Sequence, residues 1–93
     1  ACVIRARDYE HALEILNDTD FGLTAGIITQ SLATASDFKK RAVSGCVMVN
    51  LPTAGTDYHV PFGGRKASSF GPREQGQYAR EFYTTVKTSY LQA

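Results

Sequence analysis

The sequence predicts an α/β fold in which short parallel strands alternate with crossover helices in the order β-α-β-α-β. Three apolar runs, at residues 2–5, 25–29 and 46–50, are continuous rather than alternating, which is typical of parallel strands covered on both faces. The segments between them, 8–17 and 31–42, carry apolar residues at helical spacing. These connections are long enough for right-handed helical crossovers. Because two helices do not cover both faces of three strands, we expect the sheet to continue beyond these residues.

Local signals support both helices. Asp8 and Ser31 precede them as candidate N-caps, and Gly45 follows the second helix as a stop signal. Three cations in the last turns of the second helix suit its dipole. The residues that share one face of the first helix are Tyr9, Ala12, Leu13 and Leu16. The corresponding residues of the second helix are Leu32, Ala35, Phe38 and Ala42.

Residues 51–72 break this pattern. They contain all three prolines and four of the eight glycines, and so predict a loop of about 20 residues, a length that is usually functional in a compact protein. The loop leaves the C-terminal end of the third predicted strand. Ligands of open α/β sheets bind beside that edge. Residues 51–67 are therefore the first candidate for a functional site.

Beyond Pro72 the pattern changes twice. Residues 73–80 predict a short helix. Residues 82–90 are rich in aromatic and β-branched side chains and predict a long strand. Since a terminal strand needs a partner edge, we expect it to pair with its own sheet or with another subunit.

Composition excludes several classes of protein. The net charge of +1 is too small to indicate nucleic-acid or membrane-surface binding, and no apolar stretch approaches the roughly 20 residues of a membrane span. Cys2 and Cys46 lack the spacing of a metal or redox site. Both lie in apolar runs, which predicts buried free thiols and a reducing, cytoplasmic compartment.

Three stretches together resemble the aldehyde dehydrogenase family. Residues 17–26, N-D-T-D-F-G-L-T-A-G, resemble its N-D-T-x-Y/F-G-L-x-A/S-G segment. Residues 49–50 followed by 61–68 resemble its V-N … P-F-G-G-x-K-x-S signature. Residues 71–76 followed by 83–88 resemble its ending, G-R-E-x-G … Y-T-x-x-K-T. Each match is weak alone, but the family's order and spacing over essentially the whole chain make the combination specific.

Two departures resemble one branch of that family. Ser69 replaces the glycine of the usual S-G-x-G-R-E pattern, and Pro72 is inserted. Together with the loop 50–60, they resemble the enzymes that oxidise 2-oxoglutarate semialdehyde (2,5-dioxopentanoate). The resemblance implies the C-terminal part of an NAD(P)-dependent aldehyde dehydrogenase that oxidises a small, acidic aldehyde to a carboxylate.

The resemblance also implies roles for particular residues. Phe62 matches a phenylalanine that lines the aldehyde pocket near the nicotinamide, and Asn50 matches a residue that supports the site by hydrogen bonding. The loop that covers the substrate entrance corresponds to Thr53, Ala54, Gly55, Thr56, Asp57 and Tyr58. The alternatives are a core aromatic for Phe62, a strand-end turn residue for Asn50 and an ordinary surface loop.

We expect no catalytic residue and no metal site among these residues. The family's nucleophile motif G-Q-x-C and its glutamate motif E-L-G-G-K have no counterpart in the sequence. The resemblance places both upstream, with the domain that binds most of NAD or NADP, so the chain alone is expected to be inactive. Weaker alternatives are Cys46 as the nucleophile of a small complete enzyme, Asp57 and His59 as a catalytic pair, and residues 63–68 as a phosphate loop.

The expected organisation follows from these assignments. Residues 1–72 would be the distal part of a catalytic domain, and residues 73–93 a helix with an oligomerisation strand. The expected partners are the remainder of an aldehyde dehydrogenase chain, a second copy of the protein and a small aldehyde, rather than nucleic acid or a membrane. The alternative is a free-standing α/β binding or oligomerisation module without catalysis.

Overall fold

The computed structural model describes all 93 residues and concentrates regular structure in the first half of the chain. In chain order, the elements are α1 (Tyr9–Asn17), β1 (Phe21–Gly22), β2 (Thr24–Ile27), α2 (Leu32–Arg41), β3 (Cys46–Val49), β4 (Arg65–Lys66), one 3-10 turn (Gly76–Tyr78) and α3 (Ala79–Tyr83). The longest helix, α2, has 10 residues, about half the length needed to cross a bilayer.

Both predicted helices form with the predicted caps. The Asp8 carboxylate accepts a hydrogen bond from the His11 amide at 2.9 Å, and the Ser31 hydroxyl accepts one from the Thr34 amide at 3.2 Å. These side chains satisfy backbone donors that the first turn of a helix leaves unpaired. The sequence therefore located the starts of α1 and α2 to the residue.

The second and third predicted strands form the parallel pair β2–β3, in which Ala25 is opposite Val47. The helix α2 makes the crossover between them, as predicted. A small core lies where the helices meet this sheet. Its buried members are Leu13, Ala25, Phe38 and Ala42, and Tyr9, Leu16, Ile27 and Val47 pack against it.

The first predicted strand does not form. Residues 2–5 pair with no other strand, and Val3 is 97% exposed. No edge of β2–β3 receives this segment, so its apolar residues have nothing to pack against. The prediction of a buried thiol is consequently wrong for Cys2, which is exposed, whereas Cys46 in β3 is half-buried.

The C-terminal region also differs from its prediction. The helix expected at residues 73–80 begins later, with the 3-10 turn at Gly76. The strand expected at 82–90 does not pair within the chain, because α3 continues to Tyr83 and the remaining residues pair with no strand. Its pairing with another subunit stays a prediction. We call residues 84–93 the tail. With the tail extended, the radius of gyration is 17.7 Å, against about 12 Å for a compact chain of this length.

A second, antiparallel pair was not predicted. In β1–β4, Phe21 is opposite Lys66 and Gly22 is opposite Arg65. An isolated antiparallel bridge also joins Phe62 to Glu74. These short contacts bring the loop after β3 back onto the body of the fold.

Candidate substrate-pocket loop

The loop after β3 starts at the carboxyl edge of the parallel sheet, as predicted. The Asn50 amide donates to the Ile27 carbonyl at 2.8 Å. The Asn50 side chain then bridges to Thr29, accepting from its amide at 2.8 Å and donating to its carbonyl at 2.9 Å. Asn50 has a positive φ of 56°, a conformation that asparagine tolerates better than most residues. The end of β3 is thus tied to the segment that follows β2.

The outgoing arm of the loop, residues 51–53, packs on β2 through Thr53. A Cβ atom added to Gly26 would lie 2.8 Å from the Thr53 methyl carbon, which is inside the normal contact distance. Gly26 therefore provides the space that Thr53 occupies. This contact fixes the direction in which the loop leaves the sheet.

The loop and β3 enclose an open cleft of about 510 Å³, within the usual size range of small-molecule sites. Three of the predicted pocket residues, Gly55, Thr56 and Asp57, line it from the loop side. Cys46, Val47 and Met48 are among the residues that line it from the strand side. Asp57 carries the only charge in this lining.

The other predicted pocket residues lie outside this cleft. Tyr58 is 85% exposed and contacts His59 edge-on, with the ring centroids 5.4 Å apart. Ala54 is exposed at the loop tip. Phe62 is half-buried and faces a separate hollow of about 200 Å³ beside Phe70 and Phe82. Within this chain, the structure therefore does not bring Phe62 together with Gly55, Thr56 and Asp57.

The return arm of the loop, residues 59–63, is anchored by residues 73–76. Phe62 and Glu74 exchange two backbone hydrogen bonds, at 2.8 and 3.0 Å. The Arg73 guanidinium donates to the Gly63 carbonyl. A Cβ atom on Gly76 would lie 2.6 Å from the His59 carbonyl oxygen, so the glycine permits the close approach of the two segments.

The stretch after the return arm docks on the turn that follows α1. The Lys66 ammonium donates to the carbonyls of Asn17 and Thr19, at 2.6 and 2.7 Å. The Ser68 hydroxyl accepts from the Gly22 amide at 2.9 Å. Two of the segments that carry the family resemblance are therefore structural partners. These roles of Lys66 and Ser68 were not predicted, although the joint occurrence of the two motifs is a signal that links the two segments.

These contacts argue against residues 63–68 as a phosphate loop. The Lys66 ammonium is bonded to backbone carbonyls rather than held free for an anion. The Gly64 amide donates to the Ser69 hydroxyl at 2.6 Å, so it is not part of a set of free amides. The stretch serves packing.

The alternative catalytic groups lack suitable geometry. The Cys46 thiol is directed at the Gly63 carbonyl at 3.7 Å, which is an acceptor but cannot act as a base. Asp57 and His59 share no hydrogen bond, and no group of three His, Cys, Asp or Glu side chains is placed to hold a metal ion. A nucleophile needs a base or another activating group beside it.

A polar cluster joins the two helices away from the loop. Arg41 pairs with Glu10 at 2.6 Å and with Asp37 at 3.1 Å, and the Tyr9 hydroxyl donates to Asp37 at 2.8 Å. The hydrogen bond from Arg41 lowers the pKa of Glu10. The pKa of Asp37 is lowered by the hydrogen bond from Tyr9 and, secondarily, by Arg41. The cluster links α1 to α2 at the protein surface.

Comparison with known proteins identifies the family. Residues 1–89 match the aldehyde dehydrogenase family. The chain belongs to the aldehyde dehydrogenase family. The alpha-ketoglutaric semialdehyde dehydrogenase of Bacillus subtilis is 39% identical over 89 residues, which are 96% of this chain and 18% of that protein. The alpha-ketoglutarate semialdehyde dehydrogenase of Haloferax volcanii is 44% identical over 89 residues, covering 95% and 18% of the two chains.

Solved aldehyde dehydrogenase structures share the fold. A Sinorhizobium meliloti protein, provisionally named a methylmalonate-semialdehyde dehydrogenase and solved with NAD, superposes with a TM-score of 0.82 at 36% identity. The match covers 90% of this chain and 17% of that one. The chain thus spans less than a fifth of the length of these aldehyde dehydrogenases.

The residues of this chain do not by themselves fit a dinucleotide. A typical cofactor site presents free backbone amides at the start of a helix, next to a glycine-rich turn. The Gly63–Gly64 pair instead lies between β3 and residues 68–73, where its amide and carbonyl groups bond within the chain. The Gly63–Gly64 pair is therefore not a turn of the dinucleotide-binding type.

Proposed function

We propose that this chain forms one wall of the aldehyde-binding site of an NAD(P)-dependent aldehyde dehydrogenase. The proposed substrate is a short aldehyde bearing a carboxylate, of the 2-oxoglutarate semialdehyde type, and the product is the corresponding acid. The observation that carries the proposal is the cleft between the loop and β3 at the carboxyl edge of the parallel sheet. The names of the Bacillus and Haloferax relatives support the substrate class.

The chemistry needs groups from outside these residues. Oxidation through a thioester requires an activated thiolate to attack the aldehyde carbon, and neither cysteine here has an activating neighbour. When bound, NAD(P) supplies the hydride acceptor. The proposed role of this chain is to orient the aldehyde and to exclude water, with Phe62 as an apolar wall and Gly55, Thr56 and Asp57 at the entrance.

Asp57 also bears on the substrate's orientation. It is the only charged residue that lines the cleft, and it repels a substrate carboxylate placed nearby. We infer that the carboxylate of the substrate points away from the loop, toward a cation in the rest of the enzyme. Asp57→Asn removes this repulsion. It should therefore lower the KM for an acidic aldehyde more than the KM for a neutral aldehyde of similar length.

The test uses the full-length enzyme. NAD(P)H formation is followed with 2-oxoglutarate semialdehyde and with a neutral aldehyde, for the wild type and for Phe62→Ala. We expect preference for the acidic aldehyde, and a rise in the aldehyde KM for Phe62→Ala that exceeds any rise in the cofactor KM. Leu32→Ala is the control, since Leu32 on α2 is 82% exposed and lies outside both the cleft and the hollow. No aldehyde-dependent turnover by the wild type would refute the proposal, and turnover by residues 1–93 alone would refute the placement of the nucleophile elsewhere.

The tail supports a proposed role in assembly. Val86, Tyr90 and Leu91 are at least 95% exposed, although their residue types favour a paired strand. We propose that the tail pairs with the sheet of another subunit in a cytoplasmic homo-oligomer. Truncation after Tyr83 should lower the sedimentation coefficient of the full-length enzyme, and an unchanged coefficient would count against this role.

A further inference from the structure

The Gly63 carbonyl is contacted by two other parts of the chain, the start of β3 and the segment that contains Arg73. Arg73 donates a hydrogen bond to it from one direction, and the Cys46 thiol at the start of β3 is directed at it from another. A Cβ atom on Gly45 would collide with the same carbonyl. The Gly63–Gly64 peptide, one residue beyond Phe62, is therefore held between β3 and the segment that contains Arg73.

Arg73 has no other partner in the chain. It is half-buried, yet both salt bridges of the structure belong to Arg41, and its only hydrogen bond is to Gly63. Its aliphatic stem also lies along the glycine, because a Cβ atom on Gly63 would be 3.3 Å from the Arg73 Cδ atom. The Arg73 side chain therefore interacts with a single backbone peptide.

The residues that follow Arg73 reinforce this arrangement. Glu74 pairs with Phe62 through two backbone hydrogen bonds. Gln75 and Gly76 have positive φ angles of 68° and 54°, and Gln75, as a non-glycine residue in this region, carries backbone strain. That turn brings Gly76 against the His59 carbonyl. The segment 73–76 therefore contacts the return arm of the loop at each of its ends.

We propose that Arg73 is a positioning residue for the aldehyde pocket, acting through the Gly63 carbonyl to fix the backbone, and hence the side-chain direction, of Phe62. This role rests on the proposed function, in which Phe62 lines the pocket. A hydrogen bond from a cation is about twice as strong as one between neutral groups. A guanidinium also offers a planar set of donors that lysine cannot reproduce. The arginine should therefore hold the peptide in one orientation.

The experiment compares Arg73→Ala, Arg73→Lys and wild type in the full-length enzyme. For Arg73→Ala we expect the aldehyde KM to rise by about tenfold or more, as loss of a charged hydrogen bond implies, with little change in the cofactor KM. Addition of ethylguanidinium at low millimolar concentration should restore part of the aldehyde affinity, whereas ethylammonium should not. The aldehyde KM of Arg73→Lys should lie between those of the wild type and Arg73→Ala. Arg80→Ala is the matched control, since the exposed Arg80 side chain makes no hydrogen bond.

Hydrogen exchange gives a readout that does not depend on activity. The amides of residues 62–64 should exchange faster in Arg73→Ala than in the wild type, while those of β2 and β3 stay unchanged. Faster exchange in an enzyme that fails to oxidise aldehydes would support the positioning role and refute only the proposed function. Unchanged exchange at residues 62–64, or equal rises in both KM values without rescue by ethylguanidinium, would overturn the positioning role. If Arg73→Ala does not fold, Arg73→Lys is compared with the wild type instead, by hydrogen exchange at residues 62–64 and by the KM values for aldehyde and cofactor.

Discussion

The methyl group of Thr53 occupies the space that a side chain on Gly26 would need. A Cβ atom at position 26 would be 2.8 Å from the Thr53 Cγ2 atom, whereas the next nearest atom is 3.8 Å away. One methyl group therefore accounts for the conflict. Because Thr53 belongs to the loop and Gly26 to β2, this single contact links the loop's position to the sheet.

Replacement of Gly26 by alanine should displace the outgoing arm. We expect Gly26→Ala to cost about 1–3 kcal/mol of stability, as overpacking does, and to raise the KM for the aldehyde. The double variant Gly26→Ala/Thr53→Ser lacks the interfering methyl group and should recover most of both losses. Thermal unfolding and initial rates on a double-mutant cycle measure the coupling. Strictly additive effects would show that the Thr53 methyl group is not the cause of the destabilisation by Gly26→Ala.

Replacement of Asn50 should loosen the ends of the parallel strands. Asn50→Ala removes two hydrogen bonds to Thr29 and places alanine at a positive φ; together these should cost about 2–4 kcal/mol. Asn50→Gly keeps the backbone conformation without strain, so its loss should be smaller. Hydrogen exchange at the Thr29 amide provides the local measurement. Equal stability of the alanine and glycine variants would contradict the contribution from φ.

Replacement of Lys66 should loosen the contact between the stretch that contains it and the turn that follows α1. Lys66→Met keeps a long apolar side chain but loses both bonds to the carbonyls of Asn17 and Thr19. Because the site is exposed, the loss should be about 1 kcal/mol. Lys39→Met is the control, since the Lys39 side chain on α2 is exposed and makes no hydrogen bond or salt bridge. The midpoint of thermal unfolding should fall for Lys66→Met only, and a similar fall in both variants would argue for a general effect of charge.

The helix–helix cluster predicts a dependence of stability on acid. The folded-state pKa values of Glu10 and Asp37 are lowered from 4.5 and 3.8, so these carboxylates contribute stability above those ordinary values. The contribution is lost as the pH falls through the lowered folded-state values. Arg41→Gln removes the ion-pair partner of Glu10 and one of the two partners of Asp37, which keeps its hydrogen bond from Tyr9. The difference in unfolding midpoint between wild type and this variant should therefore be present at pH 7 and shrink steadily below about pH 4. A difference that stays constant down to pH 2 would exclude the ion pairs as its source.

The sequence predicted the helices and the parallel pair because their signals are local. The caps Asp8 and Ser31 and the apolar runs of β2 and β3 each lie within the element they define. Antiparallel pairing of β1 with β4 joins residues more than 40 positions apart, and strands of two residues have no periodicity to detect. Lys66 and Arg73 bond to backbone carbonyls, which every residue carries, so their residue types do not identify which carbonyls they bond.

The two predicted strands that do not pair within this chain are explained by a different physical cause. Residues 2–5 and 82–90 have the composition of paired strands, but pairing depends on a second edge. Within this chain no edge receives either segment. Similarly, the family resemblance implied one site for Phe62 and Gly55, whereas in this chain alone they line separate cavities. Features of these kinds depend on surroundings that a local pattern does not contain.

The tip of the loop differs from its two arms in one respect. Thr53 fixes the start of the tip and the contacts of His59 and Phe62 fix its end, while Gly55, with φ 86°, has no neighbouring atom within 4 Å of an added Cβ. Residues 54–58 could therefore be exchanged as a cassette, since no sheet or helix contact would have to be rebuilt. Libraries that vary this stretch in sequence and length would diversify aldehyde selectivity while leaving the scaffold intact.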